Sequence, residues 1–88
     1  NNVVRIEDGL SIVNQLRPVS FEWDEKSPYY HDKFRDYGLI AQEVEKVLPN
    51  VVGHMKDGYK GIKYEKIIPF LIDSIQQLTK RVEELEDK

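Results

Sequence analysis

The sequence predicts an α+β fold, mainly helical, in which short strands and a β-hairpin precede a long C-terminal helix suited to a parallel coiled coil. Three observations carry this. Ile68, Leu71, Ile75, Leu78, Val82 and Leu85 are separated by alternating gaps of three and four, a period that keeps one seam toward a partner helix. Asp57-Gly58 lies between two runs that carry apolar residues, a hairpin signal in which Gly58 supplies the positive φ. Val19-Ser20-Phe21-Glu22-Trp23 alternates apolar and polar, as a half-buried strand does.

In chain order, residues 1–6 form an extended lead-in with Val4 and Ile6 on one face. Asp8 is a good N-cap for a helix over 9–16, where Leu10, Val13 and Leu16 have helical spacing. Pro18 ends it, because the residue before a proline is pushed out of the α region. The strand over 19–23 follows, then a polar and aromatic stretch over 24–36, interrupted by Ser27-Pro28 and read as an exposed loop. A second strand is expected over 37–40. Two helical turns over 41–48 come next, with Ile40, Val44, Val47 and Leu48 inward and Pro49 as the stop. The hairpin covers 51–64, with strands over 51–55 and 59–64. Pro69 is tolerable within the first turn of the last helix.

That helix, 68–88, is about 30 Å long. Ile68, Ile75 and Val82 occupy a, and Leu71, Leu78 and Leu85 occupy d. Arg81 falls at g and Glu86 at the following e, the positions that meet across a parallel pair. Phe70 and Ile72 widen the apolar stripe near Pro69, whereas beyond Gln77 only a and d remain apolar. A helix folded back on its own domain, or a solvated tail, is the plainer alternative. The narrowing stripe favours a helix rooted in a domain and zipped to copies of itself. β-branched a with Leu at d is the pattern of two-stranded coils, so the seam alone leaves dimer and trimer open.

Eighty-eight residues allow one small domain, a globular part over 1–67 joined to the helix. A chain of this length buries only about 60–65% of its unfolded surface, which favours oligomerisation. Without Cys there are no disulfides or thiolate metal sites. A net charge of −3 with intermixed signs argues against a nucleic-acid partner, and no apolar run reaches membrane-spanning length. The chain starts without Met and is expected to be a segment of a longer polypeptide.

The catalytic inventory is thin. His31 and His54 have no H-x-x-x-H spacing, so surface histidine is the expected role, with no metal and no cofactor. None of the serines lies in a G-x-S-x-G elbow, and turn chemistry accounts for Gly38, Gly53, Gly58 and Gly61 better than a phosphate loop. Residues 29–35 mix aromatics with bases, yet the run is short and flanked by acids, and a packed surface loop is the expected reading. Glu43 and Glu45 read as a solvated helix face. Composition alone points to an interaction module.

Motif order goes further. Leu16-Arg17-Pro18-Val19-Ser20-Phe21-Glu22-Trp23 precedes Gly38-Leu39-Ile40-Ala41-Gln42-Glu43-Val44, then Leu48-Pro49-Asn50-Val51-Val52. Asp57-Gly58-Tyr59-Lys60-Gly61-Ile62-Lys63-Tyr64 and Ile68-Pro69-Phe70-Leu71 complete the series. These ordered blocks, from about Ile6 to Leu85, closely resemble the C-terminal intramolecular chaperone domain of phage tail spikes and fibres, the endosialidase-type, peptidase S74 family. The Gly38–Val44 block is the most specific.

The resemblance implies a homotrimer ending in a three-helix coiled coil, with Ile68, Leu71, Ile75, Leu78, Arg81, Val82, Leu85 and Glu86 at the trimer interface. It gives Pro18, Gly38, Gln42, Glu43, Pro49, Gly58, Tyr59, Tyr64 and Pro69 structural roles in the family motifs. Gln42 and Glu43 are expected to fix the helix N-terminus or a subunit contact. The 24–36 loop, with Tyr29, Tyr30 and Phe34, is expected to reach toward the attached fibre as an arm.

Such domains register the three chains of an upstream β-rich fibre and then cut themselves off, acting in the host-cell cytoplasm during virion assembly. A permanent, uncleaved trimerisation domain is the alternative. In the family a Ser in a Ser-Asp-x-x-x-Lys-like stretch at the domain's N-terminus is the nucleophile, and the Lys takes its proton. No such stretch occurs in residues 1–88, and Asn1-Asn2-Val3-Val4 looks like the segment just after that lysine. No residue of this chain is therefore assigned a catalytic role.

Overall fold

The computed structural model describes residues 2–23, 26, 35–54, 56, 58 and 60–88. They form an α+β arrangement, about half helical, of two small antiparallel hairpins and three helices. Helix α1 spans Gly9–Val13 and buries Leu10. Asp8 occupies the N-cap position but makes no side-chain cap hydrogen bond, unlike the sequence expectation. The expected helix also closes early. Gln15 N–H bonds Ile12 O and Leu16 N–H bonds Val13 O, so the chain tightens into three-residue turns before Pro18.

Strand β1, Val19–Glu22, pairs antiparallel with β2, Arg35–Gly38, in the register Val19 to Gly38 and Glu22 to Arg35. β2 starts two residues before the expected strand and stops at Gly38. Its end has a tertiary cause: the Leu39 N–H donates to the Tyr64 hydroxyl at 3.1 Å instead of continuing a ladder. Arg35 lies back over β1, donating from Nε to Ser20 Oγ at 2.7 Å and from Nη2 to Ser20 O at 2.9 Å.

Helix α2, Ala41–Val47, carries Val44, the most deeply buried large side chain. A 3-10 turn over Pro49–Val51 leads into β3, Val52–His54, which pairs with β4, Lys60–Ile62. Gly58 between them has φ +84°, the left-handed conformation expected of the Asp-Gly turn. The strands are shorter than expected because Val51 closes one 3-10 turn and Tyr64 opens another, Tyr64–Lys66. Helix α3 then runs over Ile68–Glu86 with Pro69 in its first turn, where the missing N–H costs no helical bond.

Val44, Val51, Val52 and Ile67 form the core, with Leu16, Leu39, Ala41, Leu48 and Ile62 packed around them. The radius of gyration is 16.6 Å, against about 12 Å for a compact chain of this length. Few buried side chains and an extended shape go together.

Candidate functional site

Helix α3 has two working faces. One meets its own domain: Ile67, at the entry to the helix, is buried, and so are Asp73 and Ser74, while Phe70 and Gln77 are half-buried. α1 packs along this face. The other carries the heptad seam. Ile68, Leu71, Ile75, Leu78, Val82 and Leu85 are between 42% and 64% exposed. At 100° per residue the two faces are centred roughly 120° apart. The domain therefore packs on α3 without covering the seam, and Ile72, at e beside it, is exposed as well. Arg81 and Glu86 lie on exposed helix flanks.

The apolar surface continues beyond the seam. A cleft of about 720 Å³ opens beside α1, the base of β1 and β2 and the start of α3, with Val13, Leu16, Val19 and Leu39 in its wall. Ile68 and Leu71 line it too, so seam and cleft share two side chains.

Sequence reasoning missed the centre of the domain-facing side. Asp73 sits at f of the heptad, ordinarily the most solvated position, yet it is only 4% exposed. Its Oδ2 accepts the Gly9 N–H at 2.8 Å and Gln77 Nε2 at 2.7 Å, and its Oδ1 faces Arg5 Nη2 at 3.4 Å. Arg5 Nη2 also donates to Gln76 Oε1 at 2.8 Å, and Gln77 Nε2 to Glu7 O at 3.0 Å. The one available sequence signal was Phe70, an apolar residue at c, outside the seam.

Three of the family-motif residues, Gly38, Glu43 and Tyr64, make contacts between neighbouring elements. The Tyr64 ring reaches Gly38, where a Cβ would stand 2.5 Å from the hydroxyl oxygen. Glu43 takes a two-pronged ion pair from Arg17, at 3.1 Å to Nε and 2.6 Å to Nη2. It thereby ties α2 to the segment just before Pro18 rather than capping α2, whose N-terminus has no side-chain cap. The hydrogen bond to Arg17 holds the Glu43 carboxyl below its ordinary pKa, and raises that of Arg17 in turn. Gln42 is exposed, and Pro49 opens the 3-10 turn. Tyr29, Tyr30, Phe34 and Tyr59 lie outside the described residues. At the base of the 24–36 segment, Trp23 Nε1 donates to Asp36 Oδ2 at 2.9 Å, and its ring meets Phe21 edge-on at 5.1 Å.

Among the described residues Glu45 also gathers charged partners, with Lys60 Nζ at 2.7 Å and His54 Nε2 at 3.6 Å. The Lys60 hydrogen bond lowers the Glu45 pKa. Among the described residues no three His, Asp or Glu side chains gather as a metal-binding group. No helix among them is long and apolar enough to cross a membrane.

Residues 1–53, more than half of the chain, match the family model described as chaperone of endosialidase, peptidase S74. The chain belongs to that family. No curated protein matches it. In this endosialidase-chaperone chain the matched stretch runs through α1, the β1–β2 hairpin and α2 and ends at Gly53 in β3. The α1 residues that dock on α3 lie inside it, and the seam follows it.

Proposed function

We propose that this chain is the trimerising intramolecular chaperone of an upstream β-rich fibre, spike or appendage of the same polypeptide. It acts in the host-cell cytoplasm during virion assembly and is released by self-cleavage at its N-terminal boundary. The observation that carries this reading is the bare heptad seam of α3. Six apolar side chains at a and d face solvent although the domain packs on the same helix. Because these side chains are already about half-buried in the single chain, completing their burial would add about 0.7–1.5 kcal/mol each, a gain open only to an assembled helix. The cleft that adjoins Ile68 and Leu71 extends the apolar surface into the domain body. That extension, with exposed Ile72 at e, favours a contact wider than a two-helix seam.

Fibre folding requires long, non-local strand pairings that are slow and prone to aggregate. Joining three C-termini in parallel raises the effective concentration of the attached strands to about the mM range for short tethers. Arg81 and Glu86 would assist alignment by under about 1 kcal/mol, being exposed. The segment between β1 and β2 would reach toward the fibre. None of residues 1–88 is assigned the nucleophile of that cleavage.

A denaturing gel of the full precursor tests this. Two products separated at the domain's N-terminal boundary support the reading. A single full-length product from trimeric precursor assigns the domain to permanent trimerisation.

A further inference from the structure

We propose that Asp73 is a positioning residue that fixes the domain's N-terminal boundary to the coiled-coil helix, so that the boundary is presented for cleavage only when docked on α3. The inference rests on the cleavage reading given under Proposed function. Its basis is a clasp. Arg5, Glu7 and Gly9 are each tied to the single turn 73–77 of α3, through Asp73, Gln76 and Gln77. Just before it in the chain, Asn2, Val3 and Val4 are exposed.

The docking is built to be all-or-none. Gly9 approaches so closely that a Cβ would lie 2.6 Å from both Asp73 Oδ2 and Phe70 O. A buried carboxylate must keep its donors, and a half-detached segment would leave it short of them. The clasp also sits beside the seam in sequence, since Asp73 precedes the a residue Ile75 by two positions on a continuous helix. A rigid helix thereby sets where the N-terminal segment leaves relative to the trimer axis. Asp73 takes no part in the bond-breaking chemistry, and Arg5, whose side chain is 65% exposed, serves the clasp without serving the core.

The test compares full-length precursor carrying Asp73→Ala, Asp73→Asn, Arg5→Ala or Arg5→Lys with the unaltered protein. Cleavage is followed on gels, assembly by sedimentation, and the Gly9 amide by hydrogen exchange. Arg5→Ala and Asp73→Asn are expected to stay trimeric while cleavage slows at least about tenfold, as small misplacements do. Arg5→Lys is expected to restore cleavage, because one ammonium can face both Asp73 and Gln76, a rescue that a general loss of stability would not show. Gly9 exchange is expected to accelerate by about tenfold or more in Asp73→Ala. Unchanged cleavage in a trimeric Asp73→Asn and Arg5→Ala pair overturns the proposal. If Asp73→Ala fails to assemble, Arg5→Ala decides. If the unaltered precursor is never cut, the cleavage reading falls and the positioning role falls with it, and exchange then judges the clasp alone: accelerated Gly9 exchange upholds the clasp, unchanged exchange overturns it as well.

Discussion

The backbone N–H of Gly9 donates to Asp73 Oδ2 at 2.8 Å across 64 residues of chain. An acidic side chain from α3 thus supplies the N-terminal acceptor that Asp8 leaves unfilled on α1. The two helices are joined by a cap as well as by packing.

Gly9→Ala follows directly. The added methyl would meet Asp73 and Phe70 O at 2.6 Å, and one of these is backbone. Overpacking of this kind costs about 1–3 kcal/mol. The chemical-denaturation midpoint is expected to fall accordingly, with α1 lifting from α3.

Gly38 and Tyr64 form a second close pair. A Cβ at Gly38 would lie 2.5 Å from the Tyr64 hydroxyl but 3.5 Å from Cζ. Gly38→Ala is expected to destabilise by about 1–3 kcal/mol. Tyr64→Phe loses the bond from the Leu39 N–H, costing about 1 kcal/mol. The double variant is expected to be more stable than the sum of the two, because removing the hydroxyl opens the space the methyl needs. A double-mutant cycle by urea denaturation measures the coupling.

Acid should weaken the domain through Glu43 and Glu45. Hydrogen bonds from Arg17 and Lys60 lower their folded pKa values. A carboxylate lowered in the folded state contributes stability that is complete above its unfolded pKa, about 4.3, and is lost as pH falls through the folded value. The thermal midpoint is expected to drop on acidification below that range. Arg17→Ala and Lys60→Ala should flatten the dependence. The Arg17–Glu43 pair is exposed and the Lys60–Glu45 pair half-buried, so raised salt should weaken the first more than the second.

Much of this was legible in the residues. The 3.5 period placed the seam, and Pro69 and the length of the apolar repeat located α3. Asp57-Gly58 marked the turn that Gly58 makes at φ +84°, and the alternation over 19–23 gave β1. What stayed hidden is long-range. Asp73 looks like an outward heptad residue because its burial depends on α1 arriving from 64 positions away. Asp8 looks like a cap because local pattern cannot weigh a distant competitor. β2 was misplaced by two residues since its end is set by Tyr64, an aromatic whose reach no spacing rule encodes.

Sedimentation equilibrium on residues 1–88 at micromolar concentration addresses the central claim most directly, with Leu78→Asp as the control. A carboxylate at d forfeits the further Leu burial that assembly brings to a side chain already half-buried, about 1 kcal/mol per chain, and sets like charges together in the seam. Three times the chain mass for the unaltered protein, falling to one in Leu78→Asp, is the predicted result. A monomer whose mass and stability are indifferent to Leu78→Asp would contradict it.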